Sequence, residues 1–89
     1  MKYKVEFERT ALKSLSKLDK YTLRMILNYI SARLDGCENP REFGNPLSSN
    51  LAGLWRYRIG DYRIIVKIED NKLIILVLTI GHRKETYNN

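Results

Sequence analysis

A chain of 89 residues is long enough for one hydrophobic core and too short for two, which predicts a single domain over 1–89. Its 44% hydrophobic and 29% charged residues exclude a disordered or fibrous chain, and its one cysteine, Cys37, excludes an internal disulfide. Sixteen Lys and Arg against ten Asp and Glu leave a net charge of +6, which favours an acidic partner: nucleic acid, an anionic membrane surface or an acidic protein.

The first element is a strand, since Tyr3, Val5 and Phe7 alternate with Lys4, Glu6 and Glu8. The same charges occupy the place where a signal peptide needs its apolar region, so the expected location is the cytoplasm. A short helix follows from about Thr10 to Leu18, with Leu12, Leu15 and Leu18 as its apolar positions. Asp19 is placed to cap a second helix whose stripe runs Leu23, Ile26, Leu27, Ile30 and Leu34, with Gly36 at its end. From Cys37 to Asn50 the residues favour turns, with Pro40, Gly44 and Pro46 interrupting regular structure.

The most informative segment is Trp55 to Val66. A Gly60-Asp61 turn of type II′ sets Ile59 opposite Tyr62, Arg58 opposite Arg63, Tyr57 opposite Ile64 and Arg56 opposite Ile65. Alternation then gives Trp55, Tyr57, Ile59, Tyr62, Ile64 and Val66 one face, read as core, and Arg56, Arg58, Arg63 and Lys67 the other. Arg58 directly opposite Arg63 is a repulsive pair unless an anion such as a phosphate lies between them. The last strand, Leu73 to Ile80, is apolar except at Thr79, as expected of a strand inside the sheet and covered on both faces; it is too short to span a membrane. The order β-α-α-β-β-β predicts an α+β domain: a small, antiparallel-rich four-stranded sheet with a helical hairpin on one face.

Register at the C-terminal end decides which residues join the cations. A regular turn at Asp70-Asn71 sets Arg63 opposite Leu78, puts His82 on the Arg63 face and turns Arg83 away; a bulge at Gly81 reverses that parity. His82 is the single histidine, a residue type that can take up or release a proton near neutral pH. Cys and His do not have metal-ligand spacing, the glycines do not form a phosphate-binding loop, and the acids do not cluster for two-metal chemistry, so neither metal nor cofactor is expected.

The run Gly53-Leu54-Trp55-Arg56-Tyr57-Arg58-Ile59-Gly60-Asp61-Tyr62-Arg63-Ile64-Ile65, followed by Ile80-Gly81-His82-Arg83-Lys84-Glu85 and Tyr87, resembles the RelE branch of the RelE/ParE toxin superfamily. The resemblance implies a toxin that enters the ribosomal A site and cuts messenger RNA without metal, the ribose 2′-hydroxyl attacking the neighbouring phosphate. On that reading Arg63 holds the scissile phosphate, Arg83 stabilises the transition state or assists the leaving oxygen, and Tyr87 stacks on or orients the nucleotide. Arg56, Arg58, Lys67 and Lys84 contact RNA. The best-known member has lysines where Arg56 and Arg58 stand, one of them proposed as general base; arginine keeps its proton, so Arg58 becomes a charge clamp and His82 the candidate base. The resemblance also implies an acidic antitoxin wrapping the domain. Two alternatives remain, a ParE-like poison of DNA gyrase and a non-enzymatic basic module that binds RNA or protein.

Overall fold

The structure is a computed structural model that describes residues 1–82. Its elements are β1 (Lys4–Phe7), α1 (Arg9–Ser16), α2 (Lys20–Tyr29), β2 (Asn45–Pro46), β3 (Trp55–Ile59), β4 (Tyr62–Glu69) and β5 (Ile74–His82). The strands form one sheet in the order β1-β5-β4-β3-β2, with β1 parallel to β5 and the other neighbours antiparallel. The α+β class is as expected, but the sheet has five strands rather than four. Asn45 and Pro46, inside the segment read as turns, pair with Arg56 and Trp55. A two-residue strand containing proline suits a sheet edge, where the missing N–H is not needed by a further neighbour.

Asp19 caps α2 as expected, its carboxylate accepting the Thr22 N–H at 3.3 Å. The buried stripes are rotated from the leucine pattern. In α1 the core takes Ala11 and Leu15, while Leu12 is 53% exposed. In α2 it takes Thr22 and Ile26, continued by Ile30 and Leu34, and Leu27 lies at the surface. Spacing of i, i+4 defines both faces, and small Ala11 and Thr22 permit close approach to the sheet. The helical path beyond Tyr29 widens into a π turn over Ile30–Leu34, closed by the Asp35 N–H on the Ile30 carbonyl at 2.8 Å. Gly36 then adopts φ +87°, and its N–H reaches the Tyr3 carbonyl, bringing the chain back to the edge of β1.

Both helices bury their apolar faces against Tyr57, Ile59, Ile64, Val66, Ile75, Val77 and Ile80 in one hydrophobic cluster. Each fully buried aliphatic or aromatic side chain there contributes about 1.5–3 kcal/mol. β5 lies between β1 and β4, inside the sheet as expected, yet it is not covered on both faces. Ile75, Val77 and Ile80 are buried, whereas Leu76 and Leu78 are half-buried and Thr79 is exposed. Among the described residues no helix is long and apolar enough to cross a membrane.

Candidate nucleic-acid interface

The β3–β4 hairpin has the register read from the sequence. Trp55 pairs with Val66, Arg56 with Ile65, Tyr57 with Ile64, Arg58 with Arg63, and Ile59 with Tyr62. Gly60 takes φ +59° while Asp61 has no positive φ, as a type II′ turn requires. Tyr57 is fully buried and Trp55 and Tyr62 pack against the core, so the aromatic side of the hairpin faces inward.

The opposite face collects the cations. Arg58 and Arg63 are directly opposed, and Arg56 and Lys67 sit on the same face at neighbouring ladder positions. Arg58 and Lys67 are exposed, Arg56 and Arg63 half-buried. The Nε atoms of Arg56 and Arg63 are shielded from solvent, so the inner edges of both guanidinium groups lie against the sheet. Ile65, opposite Arg56 and two positions from both Arg63 and Lys67, is only 5% exposed although it points away from the core cluster. It supplies an apolar floor among the cations, where lower local polarity strengthens an ionic contact. Sequence reasoning overlooked this floor. The signal was the run Ile64-Ile65-Val66, where alternation calls for a polar residue in the middle.

Register at the far end differs from the expectation of a regular turn. The β4–β5 connection spans residues 70–73, with Leu73 at φ +55°, and the ladder shifts between Ile65 and Val66, whose partners are Thr79 and Val77. Arg63 therefore faces Gly81 rather than Leu78. His82 pairs with Tyr62, its ring edge-on to the tyrosine at 5.3 Å, on the face opposite the arginines. The expectation that His82 shares the Arg63 face is overturned by the bulge, which reverses strand parity; the longer turn alone shifts the register by two residues and would have kept it. The bulge lies at Leu78 rather than at Gly81. Arg83, Lys84 and Tyr87 lie outside the described residues.

A second cluster steadies the hairpin from the loop before it. Tyr57 donates its hydroxyl hydrogen to the Pro40 carbonyl, a buried bond that ties residues 37–44 to β3. Arg41 grips Asp70 with both terminal nitrogens, at 3.2 and 2.8 Å, and lies 5.7 Å from the centre of the Trp55 ring. Tyr3 adds its hydroxyl to Asp70 at 2.6 Å. The Arg41 guanidinium and the Tyr3 hydroxyl hold the Asp70 carboxyl below its usual value. Burial raises the Tyr57 phenol well above its own, which keeps it a donor.

Fold and face together define a small α+β protein with aromatic core on one side of a hairpin and cations on the other. Comparison with known proteins places it further. A sequence model of the ParE toxin of the type II toxin–antitoxin system parDE matches residues 5–87. Toxin RelG of Mycobacterium tuberculosis is 32% identical over 87 residues, covering 98% of both chains. Toxin RelE of the same organism is 29% identical over 85 residues, covering 96% of this chain and 86% of the relative. The crystal structure of the toxin–antitoxin complex RelBE2 from M. tuberculosis superposes with a TM-score of 0.84 at 31% identity, over 93% of this chain and 100% of that one. The isolated Escherichia coli RelE toxin shares the fold, with a TM-score of 0.72 at 22% identity over 90% of this chain and 83% of the other. The chain belongs to the RelE/ParE superfamily and is a toxin of a type II toxin–antitoxin system.

Proposed function

We propose that this toxin is a ribosome-dependent endoribonuclease that cuts messenger RNA without a metal ion. The observation that carries the reading is the opposition of Arg58 and Arg63 on the outward face, with Arg56 and Lys67 beside them. Two guanidinium groups directly opposite one another on a strand pair suit a shared anionic ligand such as a phosphate. In the reaction the ribose 2′-oxygen forms a bond to phosphorus as the bond to the 5′-oxygen breaks. The products are a 2′,3′-cyclic phosphate and a 5′-hydroxyl. Negative charge on the phosphate oxygens peaks midway, where prepositioned guanidinium groups stabilise it most. Arg63 is the phosphate clamp, Arg58 and Arg56 share the developing charge, and Lys67 holds the flanking backbone. Arg83, Tyr87 and Lys84 keep the roles that the family resemblance gives them. His82 stands on the Tyr62 side, so in this reading the 2′-hydroxyl proton goes to solvent and the rate comes from charge stabilisation.

The partner that restrains the toxin is an acidic antitoxin that covers this face. The similar M. tuberculosis structure is of a toxin–antitoxin complex, as is that of the intact E. coli RelBE complex, which also shares the fold.

The test is to map RNA 5′ ends on ribosome-engaged messages incubated with the protein and with Arg63→Ala. The variant is expected to cleave roughly a hundredfold more slowly or worse, the usual cost of deleting one transition-state donor, while melting no lower than the wild type. An Arg63→Ala protein that cuts at the wild-type rate refutes the clamp. The match to the ParE model favours a second reading, poisoning of DNA gyrase. That reading calls for SOS induction before any arrest of translation when the toxin is expressed, and the nuclease reading for the reverse order.

A further inference from the structure

The net charge of the chain does not come from the arginine face. Residues 9–34, the helical layer, contain six cations (Arg9, Lys13, Lys17, Lys20, Arg24 and Arg33) and one acid, Asp19. The rest of the chain holds ten cations and nine acids, so nearly all of the +6 resides in the helices. All six cations are exposed, and Asp19 is engaged as the α2 cap. None of the six takes part in an ion pair among the described residues. Arg9, Lys13 and Lys17 follow one another at four-residue intervals, as do Lys20 and Arg24, which spaces them about 6 Å apart along each helix. The buried faces of α1 and α2 pack on the core side of the sheet, so these rows look away from Arg58 and Arg63.

We infer that the outer surface of the α1–α2 hairpin is a second nucleic-acid interface, shaped for the phosphate backbone of double-helical RNA. Evenly spaced cations without intervening carboxylates suit a continuous line of phosphates. A protein partner fits less well, because protein interfaces are depleted in lysine and centre on buried apolar anchors. Here three of the five regularly spaced cations are lysines, and the exposed large apolar groups on these helices, Leu12, Tyr21 and Leu27, are fewer than the cations around them. The toxin thus presents a clamp for one linkage on the sheet and a backbone contact for folded RNA on the helices. The second interface does not rest on the first, since binding can be read without cleavage.

The experiment measures binding of the full chain to a blunt RNA duplex, to a single-stranded RNA made uncleavable by 2′-deoxy substitution, and to poly-glutamate, over a salt series. A variant combining Lys13→Gln, Lys17→Gln, Lys20→Gln and Arg24→Gln removes up to four phosphate contacts. With a slope of about −0.9 per phosphate, raising salt from about 50 to about 200 mM is expected to weaken wild-type duplex binding roughly 100-fold more than that of the variant. The variant keeps its affinity for the single strand, and arginine at the three lysine positions, with Arg24 kept, restores duplex binding. Arg58→Gln with Arg63→Gln shows the converse pattern. Equal duplex affinity and salt slope for wild type and the glutamine variant overturn the inference. So does tighter binding of poly-glutamate than of duplex, lost in the same variant, which makes the surface a docking site for acidic protein. If four substitutions unfold the chain, Lys13→Gln with Lys17→Gln gives the same decision at half the slope change.

Discussion

Replacing Tyr57 by Phe tests whether the loop before the hairpin is pinned by a single buried bond. The substitution keeps the ring that packs in the core and deletes only the hydroxyl that serves the Pro40 carbonyl. Pro40 and Tyr57 are both buried, so the carbonyl then has to seek water or lose its partner. An unsatisfied buried acceptor costs about 1–3 kcal/mol. For a domain of this size each kcal/mol moves the melting temperature by roughly 4–8 °C, so a central value near 2 kcal/mol predicts a fall of about 8–16 °C. The pH dependence adds a signature. Burial raises the folded phenol's pKa above its ordinary 10.0, so the unfolded chain ionises first and stability drops as pH climbs past that value. Tyr57→Phe lacks this contribution and has a shallower alkaline decline. Circular dichroism melts from neutral pH to about pH 11 read both effects. A variant that melts within a degree or two of wild type, with an unchanged alkaline slope, refutes the pinning argument.

Asp70 titrates in the opposite sense. Its folded carboxyl is held below 3.8 by Arg41 and then by Tyr3, so its contribution is complete above that value and is lost as pH falls through the lower folded one. Asp70→Asn is expected to melt lower at pH 7 and to converge with wild type in strong acid. Gly44→Ala sets a methyl group 3.1 Å from the Tyr57 ring and 3.3 Å from the Trp55 ring, and urea unfolding should show a loss of about 1–3 kcal/mol. Arg58→Thr removes a like charge directly opposite Arg63, so it should raise stability by roughly 0.2–1 kcal/mol while lowering RNA cleavage. Stability and activity that fall together in this variant would count against the opposed-charge argument.

How far the sequence could be read depended on whether each strand carried information about its own register. In β3 and β4, arginines alternate with aromatic and β-branched residues around a glycine turn, so a slip of one residue would exchange core for solvent at every position. The hairpin was legible for that reason. β5 offers no such constraint. From Leu73 to Leu78 every side chain is apolar, and any register buries an acceptable set. Its actual register is set by the left-handed Leu73 in the turn and by the shift opposite Ile65 and Val66, neither of which has a composition signal. The error passed directly to the site, moving His82 from the arginine face to Tyr62. Small residues hid the helix stripes in a similar way: Ala11 and Thr22 are unremarkable in a hydrophobic pattern, yet they bring the helices close to the sheet.

The same reasoning explains why so much positive charge is tolerated in 89 residues. Within the sheet, the repulsion between Arg58 and Arg63 is local and falls when an anion binds. In the helices, the cations are spread over exposed positions where water and salt screen them. The layer of aliphatic side chains between the two sets keeps them apart and fixes the direction in which each projects. Neutralising one set should therefore leave the binding role of the other intact. A common electrostatic field, with no division between surfaces, would instead make both kinds of RNA binding fall together in either variant.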